Sequence, residues 1–156
     1  YFGMTGWRLG WLVAPEWACP LLKKLAQNLF ISMSTMAQFA ALACFEANTR
    51  LILEQRREEF KRRCDFLLPQ LRELGFVVPQ PPAGGLYIYA DVSRFVDRFG
   101  GDSQAFCLQM LEQHGLAITP GTDFGHHLSD QYVRFAFTTG MDRLEVAVER
   151  MRTIFS

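Results

Sequence analysis

Apolar residues recur with two different periods along the chain, and each period predicts a different secondary structure. Leu21, Leu25 and Leu29 recur at helical spacing after Pro15, which favours a helix that begins near residue 16. Side chains alternate in residues 132–137, which is typical of a strand. The pattern predicts helices at residues 16–29, 36–45, 49–74, 103–114 and 142–154, and strands at residues 8–14, 85–90, 116–119 and 132–137.

A long charged amphipathic segment separates the first predicted strand from the others. It ends at Gly75, a typical helix C-cap, and Pro69 within it predicts a kink or a restart. Strands that are separated by helices predict an α/β fold, here in two pieces. We predict that residues 1–50 are the end of one domain, residues 51–74 a connecting helix, and residues 75–156 a compact second domain.

The charge balance argues against a partner that is recruited by net charge. The chain has 16 Lys and Arg and 16 Asp and Glu, so its formal net charge at pH 7 is zero. Basic and acidic residues alternate in residues 54–63, which favours a solvated helix face over a nucleic-acid surface. From this charge pattern we expect no nucleic-acid partner. No apolar stretch reaches the roughly 20 residues of a membrane span, so we expect no membrane partner either.

The four cysteines are widely separated and form no Cys-x-x-Cys pair. Most lie on apolar faces of predicted helices, so we interpret them as reduced core residues of a cytoplasmic protein. The adjacent His126 and His127 do not have the spacing of a zinc ligand set, and we expect no metal site. The cysteines are Cys19, Cys44, Cys64 and Cys107.

Arg8 is the first candidate binding residue. It lies between Gly6 and Gly10 and precedes an apolar run, which predicts a tight turn that leads Arg8 into a buried strand. A buried guanidinium requires an anion, and its planar donors suit a carboxylate or a phosphate. The alternative is a core arginine that is bonded to backbone carbonyls.

Arg134 is the second candidate, because it lies in an otherwise apolar predicted strand. No acidic residue of that strand can pair with it, so either a distant Asp or Glu or a ligand carboxylate must do so. The residues alone leave these two alternatives even. In the predicted strand at residues 85–90, we expect at most one of Tyr87 and Tyr89 to face a pocket. We interpret Gly121 and Gly125 as turn residues.

Four segments together resemble class I/II aminotransferases, which are pyridoxal-phosphate enzymes of fold type I. Gly3-Met4-Thr5-Gly6-Trp7-Arg8-Leu9-Gly10 resembles the segment that follows the family's Schiff-base lysine. The other three are Ala83-Gly84-Gly85-Leu86-Tyr87, Thr119-Pro120-Gly121-Thr122-Asp123-Phe124-Gly125 and Tyr132-Val133-Arg134-Phe135. They occur in the family's order. The family's common Ala-Phe pair is Gly85-Leu86 here, so the match leaves substrate specificity open.

The resemblance implies a function and assigns both arginines. The chain would be the end of the large cofactor domain and the small α/β domain of a homodimeric aminotransferase, which transfers an amino group between an amino acid and a 2-oxo acid. Arg8 would bind the phosphate of pyridoxal 5'-phosphate, and Arg134 the substrate carboxylate. The lysine would come immediately before Tyr1, so we expect no catalytic residue in this chain and no activity from it alone.

Two other functions are compatible with the same residues. An aminotransferase-like ligand-sensing domain of a transcription regulator would also keep both arginines, as would a pyridoxal-phosphate lyase on the same fold. A DNA-binding segment upstream would favour the regulator, and product analysis would separate transamination from elimination.

Overall fold

The computed structural model describes residues 1–155 and divides the chain into two compact units, Tyr1–Arg57 and Glu58–Ser156. We call them unit 1 and unit 2. Both are built from elements that the apolar pattern largely predicts, and the mixed α/β character of the chain is confirmed. No helix among residues 1–155 is long and apolar enough to cross a lipid bilayer.

Unit 1 consists of helices and a preceding irregular segment. Helix α1 is Cys19–Leu29, α2 is Thr35–Leu42, and α3, Ala47–Glu73, begins in this unit. Pro20 occupies the first turn of α1, where the amide hydrogen that proline lacks is not needed. The Ser34 hydroxyl accepts a hydrogen bond from the amide of Ala37 at 3.5 Å and caps α2, as its place before the apolar run suggests.

The predicted strand at residues 8–14 is wrong. A short 3-10 helix, Thr5–Trp7, leads into Arg8, and residues 9–15 form no regular element. A strand requires a neighbouring strand to pair its amides and carbonyls, and no described residue pairs with this segment. Its side chains at Trp11, Leu12 and Val13 are exposed rather than buried.

Unit 1 leaves much of its apolar surface exposed. It buries Ala37, Cys44 and Leu53, whereas many of its large side chains are in contact with solvent. Burial of apolar surface is the main source of stability in a domain of this size. The exposed large side chains are Tyr1, Trp7, Trp11, Leu12, Val13, Trp17, Leu21, Leu25, Leu29, Phe30, Ile31, Met36, Phe39, Leu42, Phe45, Leu51 and Ile52.

Helix α3 is one element through Pro69 and does not restart there. A proline inside a helix costs about 3 kcal/mol, because it removes a hydrogen bond and crowds the preceding turn. Leu67 and Leu71 on either side of Pro69 are 2% and 0% exposed, and their burial in the core of unit 2 offsets that cost. Unit 2 therefore begins within α3, at Glu58.

Unit 2 contains an antiparallel sheet with strand order β1-β3-β2 among its described residues. Strand β1 is Tyr87–Asp91, β2 is Thr119–Pro120 and β3 is Tyr132–Ala136. The helices are α4, Ser93–Val96; α5, Ser103–His114; and α6, Met141–Phe155. Gly115 ends α5 in a left-handed conformation, as a C-cap glycine does.

One face of the sheet supplies the core of unit 2. In β1 the buried residues are Ile88 and Ala90, and in β3 they are Val133 and Phe135. Because side chains alternate along a strand, the residues between them lie on the opposite face. The core face packs with buried residues of α3, α5 and α6, including Leu71, Phe106, Met110, Val148 and Met151.

The cysteines differ in their environment. Cys44 and Cys107 are buried and Cys64 is half-buried, but Cys19 is exposed at the start of α1. All four are free thiols. The interpretation of the cysteines as core residues is therefore wrong for Cys19.

Candidate functional site

An open cavity of about 440 Å³ lies on the face of the sheet opposite the core. The register places Tyr89 and Thr119 directly across from Arg134 on its two sides. The segment between β2 and β3 closes another side of the cavity. The lining residues are Tyr87, Tyr89, Phe124, Gly125, His126, His127, Ser129 and Arg134.

Tyr87 and Tyr89 both line this cavity, so the expectation that at most one of them faces a pocket is wrong. Residues two apart on a strand lie on the same face. The burial pattern agrees, because Ile88 between them is fully buried in the core.

The guanidinium of Arg134 has little hydrogen bonding from the protein. Its Nη2 donates to Thr119 Oγ1 at a long 3.4 Å, and its buried Nε has no hydrogen-bond partner. Arg134 forms no ion pair with any residue that the structure describes. The sequence leaves two alternatives for the counter-ion of Arg134, a distant Asp or Glu and a ligand carboxylate. The described part of the chain supplies no such Asp or Glu. A partly buried cation without an anion is costly, so the site favours an anionic ligand.

Two aromatic rings contact the same guanidinium. Arg134 Cζ lies 4.1 Å from the ring centroid of Tyr87 and 4.3 Å from that of Phe124. Both distances fall within the range of favourable cation–π contacts. Tyr89 in turn contacts Phe124 edge to face, with ring centroids 6.5 Å apart, and stacks on Tyr132 at 5.0 Å.

The loop that closes the cavity is fixed by two close contacts. Ser103 is fully buried at the start of α5, and its hydroxyl donates to the carbonyl of Ser129 at 2.9 Å. A Cβ at Gly121 would lie 2.5 Å from the Ser129 carbonyl oxygen and 2.6 Å from the Tyr89 hydroxyl. Gly121 is therefore needed for close approach as well as for the turn in which it lies.

Burial affects the ionisation of Tyr89 in the cavity. Partial burial, and to a lesser extent the neighbouring Tyr132, raises the pKa of the Tyr89 hydroxyl above its ordinary value of 10.0. Tyr89 is therefore neutral at physiological pH. Among residues 1–155, no group of three or more His, Cys, Asp or Glu side chains could hold a metal ion, and His126 and His127 belong to no such group.

Arg8 lies in unit 1 and is exposed. Its backbone is left-handed, with φ 54° and ψ 36°, and its Nη1 donates to the carbonyl of Thr5 at 3.2 Å. The predicted tight turn is thus present, whereas the predicted burial of Arg8 is wrong. The hydrogen bond to Thr5 leaves donors of the guanidinium facing solvent.

The sequence does not indicate several residues of the site. Phe124, which lines the cavity, and Thr119, which bonds Arg134, belong to a turn motif, and the lining residues His126 and Ser129 have no predicted role. Strict alternation along β1 and β3 was the available signal for Tyr87 and Tyr89. The approach of Phe124 to Arg134 had no such signal, because it depends on the path of an irregular loop.

Comparison with known proteins gives consistent matches over nearly the whole chain. The family described as Aminotransferase class I and II matches residues 1–151. The LL-diaminopimelate aminotransferase of Natranaerobius thermophilus is 35% identical over 155 residues, and the valine–pyruvate aminotransferase of Mycobacterium tuberculosis is 34% identical over 151 residues. These alignments cover 99% and 97% of this chain, which spans 38% of the length of each relative.

A solved structure agrees with these matches. A crystal structure from Methanococcus jannaschii, described as similar in its active site to kynurenine aminotransferases, superposes with a TM-score of 0.86 and is 30% identical. The match covers 98% of this chain and 39% of that one.

Proposed function

The chain belongs to the class I and II aminotransferase family, and on that premise we propose that it is part of a pyridoxal-phosphate-dependent aminotransferase. The enzyme would exchange an amino group between an amino acid and a 2-oxo acid. The observation that carries this proposal is Arg134, a partly buried guanidinium that has an unpartnered Nε and no acidic partner among residues 1–155.

Arg134 would bind the substrate carboxylate. A carboxylate offers two oxygens to the planar donors of a guanidinium, and such pairs are shorter and more directional than neutral hydrogen bonds. The cavity lining contains no acidic side chain that would repel the ligand. Both an amino acid and a 2-oxo acid carry the carboxylate, so one arginine would position either substrate.

Arg8 would bind the phosphate of the cofactor. Its guanidinium is exposed and engages only the Thr5 carbonyl among described acceptors, so it fits an added anion. A left-handed backbone is strained for a residue other than glycine, and such strain is concentrated at ligand sites. When bound, pyridoxal phosphate supplies the electron sink for the chemistry at the substrate Cα. The lysine that forms the covalent link would precede Arg8 by eight positions, outside residues 1–156.

We further propose the organisation of the whole protein. Residues 1–50 would belong to the large domain, residues 51–74 to the connecting helix and residues 75–156 to the small domain. The protein would be a cytoplasmic homodimer without nucleic-acid or membrane partners. Two observations support this proposal. The exposed apolar residues of unit 1 require a covering surface, and the net charge of the chain is zero. Light scattering of the full-length protein would test the dimer.

Steady-state kinetics of Arg134→Leu in the full-length enzyme test the function. We expect a large increase in KM for both the amino acid and the 2-oxo acid, with cofactor absorbance unchanged. Arg150→Leu is the matched control, because Arg150 is exposed on α6 and bonds the carbonyls of His114 and Gly115. Unchanged kinetics of Arg134→Leu would contradict the assignment. Release of ammonia without an amino-acid product from the acceptor would indicate a lyase instead.

A further inference from the structure

The orientation of the Arg134 guanidinium is poorly explained by its hydrogen bonds. Its contact with Thr119 is 3.4 Å long, and its Nε has no partner. A hydrogen bond of that length restrains a side chain weakly. An arginine that binds a carboxylate must nevertheless keep its guanidinium plane in a fixed orientation, because a pair of parallel hydrogen bonds depends on the direction of both donors.

We infer that Tyr87 and Phe124 are positioning residues that orient Arg134 for the substrate carboxylate. The inference rests on the proposed function. The ring centroids lie 4.1 and 4.3 Å from Arg134 Cζ, closer than any other arginine-to-ring distance in the described part of the chain. A ring face attracts the cation without using its N–H donors, so the donors stay free for the ligand.

The two rings come from separate structural elements that are each well anchored. Tyr87 lies on β1, whose register with β3 pairs it with Ala136, two residues from Arg134. Phe124 follows a 3-10 turn, Gly121–Asp123, and its amide donates to the Gly121 carbonyl at 2.9 Å. Tyr89 contacts Phe124 from the side. The backbone that carries each ring is therefore placed independently of Arg134.

Ring removal in the full-length holoenzyme tests this inference. We expect Phe124→Leu and Tyr87→Leu each to raise KM for both substrates about fivefold to tenfold, with kcat within about twofold of the original. Tyr87→Phe, which keeps the ring, should restore the original KM. The matched control is Phe60→Leu, because Arg63 Cζ lies 5.2 Å from the Phe60 ring, and neither residue lines the cavity. This control should leave both constants unchanged.

A second measurement separates attraction between cation and ring from simple packing. Pentafluorophenylalanine at position 124 keeps the shape of the ring but reverses the charge distribution on its face. Propionate carries a carboxylate and no other functional group, so its binding reports on the carboxylate site alone. We expect the fluorinated variant to bind propionate more weakly, as measured by isothermal titration calorimetry, by about the same factor as Phe124→Leu. Because the shape is preserved, this variant should fold even if a leucine variant does not.

The outcomes distinguish the inference from the function on which it rests. If Arg134→Leu weakens propionate binding while the leucine and fluorinated variants bind it normally, Tyr87 and Phe124 do not position Arg134, and only the inference fails. If Arg134→Leu binds propionate as tightly as the original protein, the proposed function and the inference both fail. Weaker binding by fluorinated Phe124, with an unchanged cofactor spectrum, would support both.

Discussion

Thr119 and Arg134 are directly paired across β2 and β3, and the guanidinium Nη2 donates to the threonine hydroxyl at 3.4 Å. Among described residues, this is the one hydrogen bond that the Arg134 side chain forms. The pairing places Thr119 at the edge of the candidate carboxylate site. It also identifies a residue whose hydroxyl can be removed without changing the shape of the side chain.

We expect Thr119→Val to raise KM for both substrates about twofold to fivefold, because a long neutral hydrogen bond contributes about 0.5–1 kcal/mol. Thr119→Ser retains the hydroxyl and should behave like the original enzyme. Thr153→Val on α6, where the hydroxyl donates to the Glu149 carbonyl, is the control for a threonine outside the site. A normal KM for Thr119→Val would show that the hydrogen bond does not assist binding.

Arg8→Gln should weaken pyridoxal-phosphate binding by about tenfold to a hundredfold, since a hydrogen bond to a charged group contributes about 1.5–3 kcal/mol. An absorbance titration of the cofactor-free, full-length protein measures the dissociation constant. Arg50→Gln removes another exposed arginine of unit 1 and should bind normally. Equal affinities of the Arg8 and Arg50 variants would contradict the phosphate role of Arg8.

Ser103→Ala should lower the free energy of unfolding by about 1–3 kcal/mol, because it leaves the carbonyl of Ser129 without its buried donor. The loop that lines the cavity should loosen as a result. Urea denaturation measures the stability, and Ser93→Ala, at an exposed serine, is the control with an expected change near zero. A stable Ser103→Ala variant would mean that the loop is anchored by other contacts.

Cys107 should resist thiol reagents, while the exposed Cys19 reacts readily. Burial, with a smaller contribution from Asp123, raises the pKa of the Cys107 thiol from 9.0 to about 12. Mass spectrometry after brief alkylation at pH 8 should find Cys19 modified and Cys107 intact. Rapid labelling of Cys107 in the folded protein would contradict its burial.

The same shift in pKa predicts a pH dependence of stability. The unfolded thiol ionises above about pH 9 and the folded one does not, so alkali favours the unfolded state and stability falls between pH 9 and pH 12. In Cys107→Ala this contribution should disappear, and its stability should decline less steeply over that range. Parallel slopes for the two proteins would show that the thiol is not protected from ionisation.

The sequence alone determined most of the elements in unit 2, because their signals are local. The alternating run around Arg134 became β3, and the apolar spacing after Asp142 became α6. The turn at Arg8 was also local, since it follows from glycines close to it in the chain. The family match confirms that four short motifs were enough to identify the class I and II aminotransferases.

Tertiary structure decided whether an apolar run pairs as a strand and what surrounds each charged side chain. The segment after Arg8 is apolar enough for a strand, but a strand exists only when another strand satisfies its backbone groups. Helix α3 passes through Pro69 because the leucines beside it are buried in unit 2. The unpartnered Nε of Arg134 and its contacts with Tyr87 and Phe124 depend on residues that are distant in the chain, so only the folded sheet and loop bring them together.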